Sequence, residues 1–253
     1  MPSAEAAPEQ SLIAHLVELR TRLLRAILVL LVVFLALVPF ANRLYHVLAE
    51  PVLAQLPAGT TMIAVDIATP FITPLKLTFF VALLVTMPWL LYQAWAFVAP
   101  GLYRHEQKLA TPLLASSVLL FYTGCAFAYF LVLPAVFTFL TAVAPQGVAV
   151  TPDINHYLDF VLVLFFAFGI CFEIPVAVVI LVALGVMDVP KLQRARPYVI
   201  VGAFVAGAIL TPPDVVSQIL LAVPIWILYE IGIVFARTVR SSPASAPAGG
   251  SLP

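Results

Sequence analysis

The chain has 253 residues, 63% of them hydrophobic and 9% charged, where a soluble domain carries roughly 25% charged residues. Its 12 Lys and Arg balance its 12 Asp and Glu, so there is no basic footprint for nucleic acid. A globule this apolar would lack the polar surface that water requires, and the composition points to a chain dissolved in a bilayer.

The first ten residues, MPSAEAAPEQ, are polar and mildly acidic. They lack the basic start and short apolar core of a cleavable signal, so the N-terminus is expected to be retained, with 1–10 disordered. SLIAHLVELRTRLL then reads as an amphipathic helix entering the first span. Ser11 is its expected N-cap, and Leu12, Leu16, Leu19 and Leu23 are its apolar positions. Glu18 stands four residues before Arg22, the spacing of a helical ion pair.

A helix crossing a hydrocarbon core needs about 20 mostly apolar residues. Six stretches qualify: 23–44, 74–97, 112–141 and 157–184, then two shorter ones at 198–211 and 215–236. Runs this continuous satisfy their backbone in lipid as helices, and the short alternating segments of an outer-membrane barrel are absent. The loop at 45–73 holds Pro51, Pro57, Asp66 and Pro70, and its apolar character suggests an ordered cap. Pro88, Pro175 and Pro224 fall inside spans and are expected to kink them, which predicts a cupped all-α bundle.

The fifth stretch, Tyr198 to Thr211, has 14 residues, about 21 Å of helix. The apolar part of the sixth runs from Val215 to Tyr229, where Glu230 interrupts it, and Pro212-Pro213-Asp214 joins the two. Both read as shorter than the bilayer, which predicts local thinning. The tail from 238 to 253, rich in Ser, Pro, Ala and Gly, reads as disordered. Residues 11–237 therefore form one six-helix membrane domain.

Orientation follows from the basic residues. Arg20, Arg22, Arg25, Arg104, Lys108, Lys191, Arg194, Arg196, Arg237 and Arg240 fall on one side, while Arg43 and Lys76 fall on the other. The positive-inside rule places the first set, and both termini, in the cytoplasm.

The sequence holds no phosphate-binding G-x-x-x-x-G-K-[ST], no G-x-S-x-G and no histidine-rich metal set. Cys125 and Cys171 lie in apolar runs without a C-x-x-C. No catalytic residue, cofactor or metal is expected. Glu173, in CFEIP, is the acidic residue near the middle of a long span, and its burial is costly. It reads equally as a hydrogen-bonded structural group beside Pro175 or as the lining of a substrate-facing cavity, with a proton relay as a third reading. Glu106 stands among Arg104, His105 and Lys108. Taken singly, Glu18 and Glu106 read as solvated surface charges. Gly202, Ala203, Ala206, Gly207 and Ala208 give the fifth span a small-residue face, read first as packing against the sixth helix. Thr211 and Gln218 flank the adjoining turn and could bond a partner helix.

Seven collinear motifs carry a resemblance: HLVELRTRL at 15–23, MIAVDIATPF at 62–71, YQAWAFVAPGLYRHE at 92–106, SSVLLFYTGCAFAYF at 116–130, FGICFEIPVAV at 168–178, RPYVIVGAFVAGAILTPPD at 196–214 and the later AVPIWILYEIG. Across 11–237 the chain resembles the TatC family of the twin-arginine translocase. The resemblance implies a six-helix protein of the bacterial inner membrane, with both ends cytoplasmic. It would receive folded precursors whose signal peptides bear paired arginines. It would work with TatA- and TatB-type single-span subunits, self-associate in a receptor complex and use the proton-motive force. It also implies that Glu18 and Glu106 contact the signal, with Arg20, Phe97, Leu102 and Tyr103 in the same patches. Glu173 matches the family's intramembrane glutamate, Asp214 its external turn aspartate and Pro51 its loop proline. A proton-coupled transporter relying on Glu173 and a purely structural scaffold are the rival readings.

Overall fold

The computed structural model describes residues 6–46, 64–98, 110–143, 153–210 and 215–240. Helix α1 spans Ala6–Leu37 and runs through a 3-10 turn, Val38–Phe40, into helical residues 41–46. Helix α2 is Thr69–Val98. Helix α3, Ala110–Phe127, passes through a π-helical turn, Ala128–Val132, into α4, Leu133–Val143. Helices α5, Ile154–Cys171, and α6, Ile174–Ala183, form the next pass, followed by α7, Val189–Leu210, and α8, Val215–Arg240. Among the described residues the regular elements are thus helices arranged as six apolar passes. Five of them are long and apolar enough to cross a membrane, and α7 is the sixth pass.

Proline chemistry explains the irregularities. Pro175 has no N–H and its ring would strike the carbonyl of Cys171. The helix breaks there, leaving Phe172 and Glu173 between α5 and α6. Pro134 would strike the carbonyl of Phe130, and the wider π turn over Ala128–Val132 absorbs that clash. Helix α2 continues through Pro88 and α8 through Pro224, so these two prolines bend no assigned boundary. The carbonyl that Pro88 orphans, Leu84 O, accepts from Tyr122 Oη of α3 at 2.7 Å. At the end of α6, Gly185 takes φ 69°. The Val186 N–H then reaches back to Leu181 O at 3.0 Å, a closure that favours glycine.

Three expectations need correction. Helix α1 begins at Ala6, inside the stretch 1–10 expected to be disordered, so Ser11 lies within the helix and not at its start. Helix α7 starts at Val189, nine residues before the expected 198, and carries Lys191, Arg194 and Arg196. Those charges read as a loop in sequence, but a helix can continue beyond the bilayer edge. Its uncharged part, 198–210, still covers only about 20 Å. The apolar stretch of α8 does not end at Glu230; it spans Gln218–Thr238, 21 residues. The reason is a partner from α7: Arg196 Nη2 donates to Glu230 Oε2 at 2.6 Å, and Arg196 Nε lies 2.6 Å from Oε1.

Helices α6 and α7 pack on α8, α3 packs on α5, and α1 leans on α2. Phe121, Leu133, Leu164, Phe168, Leu221 and Ile233 are fully buried between them. Small residues set the closest approaches, as expected where lipid offers no hydrophobic drive for helix association. A Cβ on Gly124 of α3 would come within 2.5 Å of Phe168 O on α5. Helix α1 is different: it touches α2 through the edge contact of Phe34 with Phe79 and leaves Leu24, Ile27, Leu28 and Leu31 exposed.

Candidate functional site

The end of the bundle where α1 begins brings two expected residues together. His15 stacks on Phe97, with ring centroids 4.2 Å apart, which fixes the end of α2 against the entry turn of α1. Glu18 lies three residues beyond His15, on the same helical face. Its carboxylate is 37% exposed and pairs with Arg22, whose Nε donates to Oε1 at 2.9 Å. The ion pair read from the spacing therefore forms. Arg20 is exposed on the neighbouring face. Leu102, Tyr103 and Glu106 lie outside the described residues.

Glu173 lies at the break between α5 and α6. The break before α6 leaves it half-buried at the N-terminus of that helix, with no capping bond from its own side chain. Its Oε1 is buried without a hydrogen-bond partner among the described residues. The Ser117 hydroxyl faces the carboxyl, and Trp95 Nε1 donates to Ser117 Oγ at 3.2 Å. Trp95 and Ser117 are both buried. A polar thread thus runs from Trp95, two residues before Phe97, through Ser117 towards Glu173. Neither Trp95 nor Ser117 stood out in the sequence, because each is an ordinary residue of an apolar span until α2, α3 and the α5–α6 break converge.

The small-residue face divides. Ala203 and Gly207 are buried against α8, where a Cβ on Gly207 would meet Gln218 at 3.0 Å. Gly202 has open space around it. Gln218, read as a residue that could bond a partner helix, donates Nε2 to Phe204 O at 2.8 Å and ties α8 to α7. Thr211 and Asp214 lie outside the described residues.

At the opposite end, Asp66 starts α2: its carbonyl accepts from Thr69 N at 3.1 Å and Oδ1 from Ala68 N at 3.4 Å. Asp153 caps α5, accepting from His156 N at 3.3 Å, and takes the Val65 N–H at 3.3 Å. Lys76, one of two basic residues that opposed the charge rule, is neutralised by α5: Nζ donates to Asn155 Oδ1 and to both Asp159 oxygens, each at 2.9 Å. Partners 83 residues apart leave no local signal in the sequence. Pro51 lies outside the described residues. Among the described residues, no group of three or more His, Cys, Asp or Glu could hold a metal ion.

Comparison with known proteins agrees over nearly the whole chain. The family model described as Sec-independent protein translocase protein (TatC) matches residues 14–224. The protein named Sec-independent protein translocase protein TatC from Escherichia coli K12 is 57% identical over 228 residues, covering 90% of this chain and 88% of the relative. Its namesake from Azotobacter chroococcum mcd 1 is 54% identical over 242 residues, covering 96% and 95% respectively. A solved structure, the crystal structure of the twin arginine translocase receptor TatC, superposes with a TM-score of 0.79 at 38% identity, covering 89% of this chain and 99% of that one. With its helical passes, motifs and relatives in agreement, the chain belongs to the TatC family of Sec-independent protein translocase proteins, multi-pass proteins of bacterial membranes.

Proposed function

We propose that this chain is the signal-receiving core subunit of twin-arginine translocation, with both termini in the cytoplasm. The twin-arginine segment of a folded precursor docks at the end where α1 begins, on Glu18 and Glu106, beside Arg20, Phe97, Leu102 and Tyr103. The apolar part of the signal then lies along the bundle towards Glu173. TatA- and TatB-type single-span subunits join at α7 and α8, and the proton-motive force drives transport without catalytic chemistry in this chain. The orientation rests on the ten-to-two distribution of basic residues.

The observation that carries this reading is Glu18: a half-exposed carboxylate one turn from the His15–Phe97 stack. Arginine suits it because its planar fork can meet both carboxylate oxygens, whereas lysine is a point charge. Glu18 already holds Arg22, so an incoming arginine exchanges one ion pair for another. An exposed pair contributes about 0–1 kcal/mol, so exchange yields selectivity with little affinity. Burial of the signal's apolar stretch, at about 25 cal/mol per Å², supplies the affinity.

The test places a photo-crosslinking side chain at Glu18, and in parallel at Glu106, in membranes. Each is challenged with one precursor bearing Arg-Arg and its Lys-Lys variant. Strong crosslinks to the Arg-Arg form alone are expected. Equal crosslinks to both forms, or none, would overturn the assignment.

A further inference from the structure

At the end of the bundle away from the start of α1, helices α2, α3 with its π turn, and α5 surround a cavity of about 260 Å³. Its wall is almost wholly apolar and includes Leu77, Phe80, Tyr129, Tyr157, Leu158 and Val161. That exceeds the roughly 150 Å³ that suffices for a benzene ring in an apolar protein cavity. Water would find few partners there, and unmatched walls forfeit dispersion contacts. One side is bordered by Ala126 and Phe130, both exposed and therefore facing the acyl chains of the bilayer. The π turn contributes Tyr129 and Phe130, so the widened backbone that accommodates Pro134 also shapes this wall.

The rim is polar. Lys76 lies one helical turn from Phe80, Asn155 from Leu158 and Asp159 from Leu162, on the same helical faces as these wall residues. Lys76 and Asp159 form their ion pair at 2.9 Å while remaining 37% and 44% exposed. A net-neutral rim with one accessible charge of each sign complements a headgroup that also carries both. We propose that this is a binding site for one zwitterionic phospholipid, with an acyl chain in the cavity, the phosphate towards Lys76 and the ammonium towards Asp159. An anionic headgroup would meet Asp159 without a compensating ammonium.

The test uses the full-length protein, purified in mild detergent from membranes holding zwitterionic and anionic phospholipids, with bound lipid counted by native mass spectrometry. Ala126→Trp fills the cavity from its open side without disturbing the buried core, and Asp159→Asn alters the rim alone. The unaltered protein is expected to retain zwitterionic lipid. Ala126→Trp should lower that retention at least threefold, and Asp159→Asn should shift retention towards anionic lipid at least threefold. No retained lipid in the unaltered protein, unchanged retention in Ala126→Trp, or unchanged headgroup preference in Asp159→Asn would each overturn the proposal. So would a co-purifying single-span polypeptide that Ala126→Trp displaces while lipid stays.

Discussion

Pro88 sits in the interior of α2, where it cannot donate to the carbonyl of Leu84. In water that carbonyl would be solvated, but a lipid environment offers nothing in exchange. Tyr122 Oη fills the gap from α3 at 2.7 Å. Replacing Tyr122 by Phe keeps the ring and removes the donor. Interhelical hydrogen bonds in membrane proteins average about 0.6 kcal/mol, with a maximum of about 1.7. Here the acceptor lacks its helical partner, so the cost should fall in the upper half, about 1–1.5 kcal/mol.

Pro88→Ala supplies the missing N–H and should make the same substitution nearly silent. Tyr122→Phe is therefore expected to cost about 1–1.5 kcal/mol with proline at 88 and under about 0.5 with alanine, a coupling of about 1 kcal/mol. Reversible unfolding of the four proteins in mixed micelles, with rising denaturing detergent, measures all the terms. Equal costs in both backgrounds, within about 0.3 kcal/mol, would refute the account and leave Tyr122 acting through ring packing alone.

The Arg196–Glu230 pair should behave as a unit. Arg196→Ala or Glu230→Ala alone should each cost about 1–3 kcal/mol, between the values for exposed and buried pairs, and the double variant should cost less than their sum in the same unfolding assay. Asp153 sets a pH dependence. Partial desolvation would raise its carboxyl, but hydrogen bonds from the His156 side chain, the Val65 N–H and the His156 N–H, with the His156 charge, hold it below its usual value. A depressed folded value stabilises above the unfolded value, about 3.9, and that contribution is lost as pH falls through the lower folded value. Melting temperatures should therefore drop less for Asp153→Asn than for the unaltered protein below about pH 4, and parallel drops would reject the assignment. Inserting one helical turn into the uncharged part of α7 should reduce export while leaving signal crosslinking intact; unchanged export would show that the short helix does not thin the bilayer.

Much of the fold was legible because a membrane span is a long local signal. Three of the six stretches, 23–44, 74–97 and 112–141, fall within the observed passes and 157–184 overruns its pass by one residue, while the break at Pro175 follows from one residue. The misreadings came from charges. Lys191, Arg194 and Arg196 looked like a loop and proved to be the first turns of α7. Glu230 looked like the end of the apolar stretch because its counter-ion lies 34 residues away. The site was legible in the same uneven way. Glu18 and Arg22 declare themselves by spacing, and Glu173 by its cost in lipid. Trp95, Ser117 and the Lys76–Asp159 pair depend on helices meeting in space, and residues that ordinary give no sign of it along the chain.

The contrast among charged groups bears on what Glu173 is for. In a low-dielectric bundle an unmatched acceptor is costly, and three other carboxylates among the described residues hold a basic partner. Glu18 meets Arg22, Lys76 meets Asp159, and Glu230 meets Arg196. Thr73 also keeps one unmatched polar atom among the described residues, but it is neutral. Glu173 has the Ser117 hydroxyl beside it and a buried Oε1 with no partner among the described residues. A carboxyl kept for structure alone would be expected to have both oxygens served. A buried oxygen with no partner among the described residues, at the end of a polar thread that begins near Phe97, makes this carboxyl the costliest acceptor in the described bundle. On that reasoning Glu173→Gln, which keeps a carbonyl oxygen in place of Oε1, should preserve more export than Glu173→Leu. Equal export from both would return Glu173 to a structural role.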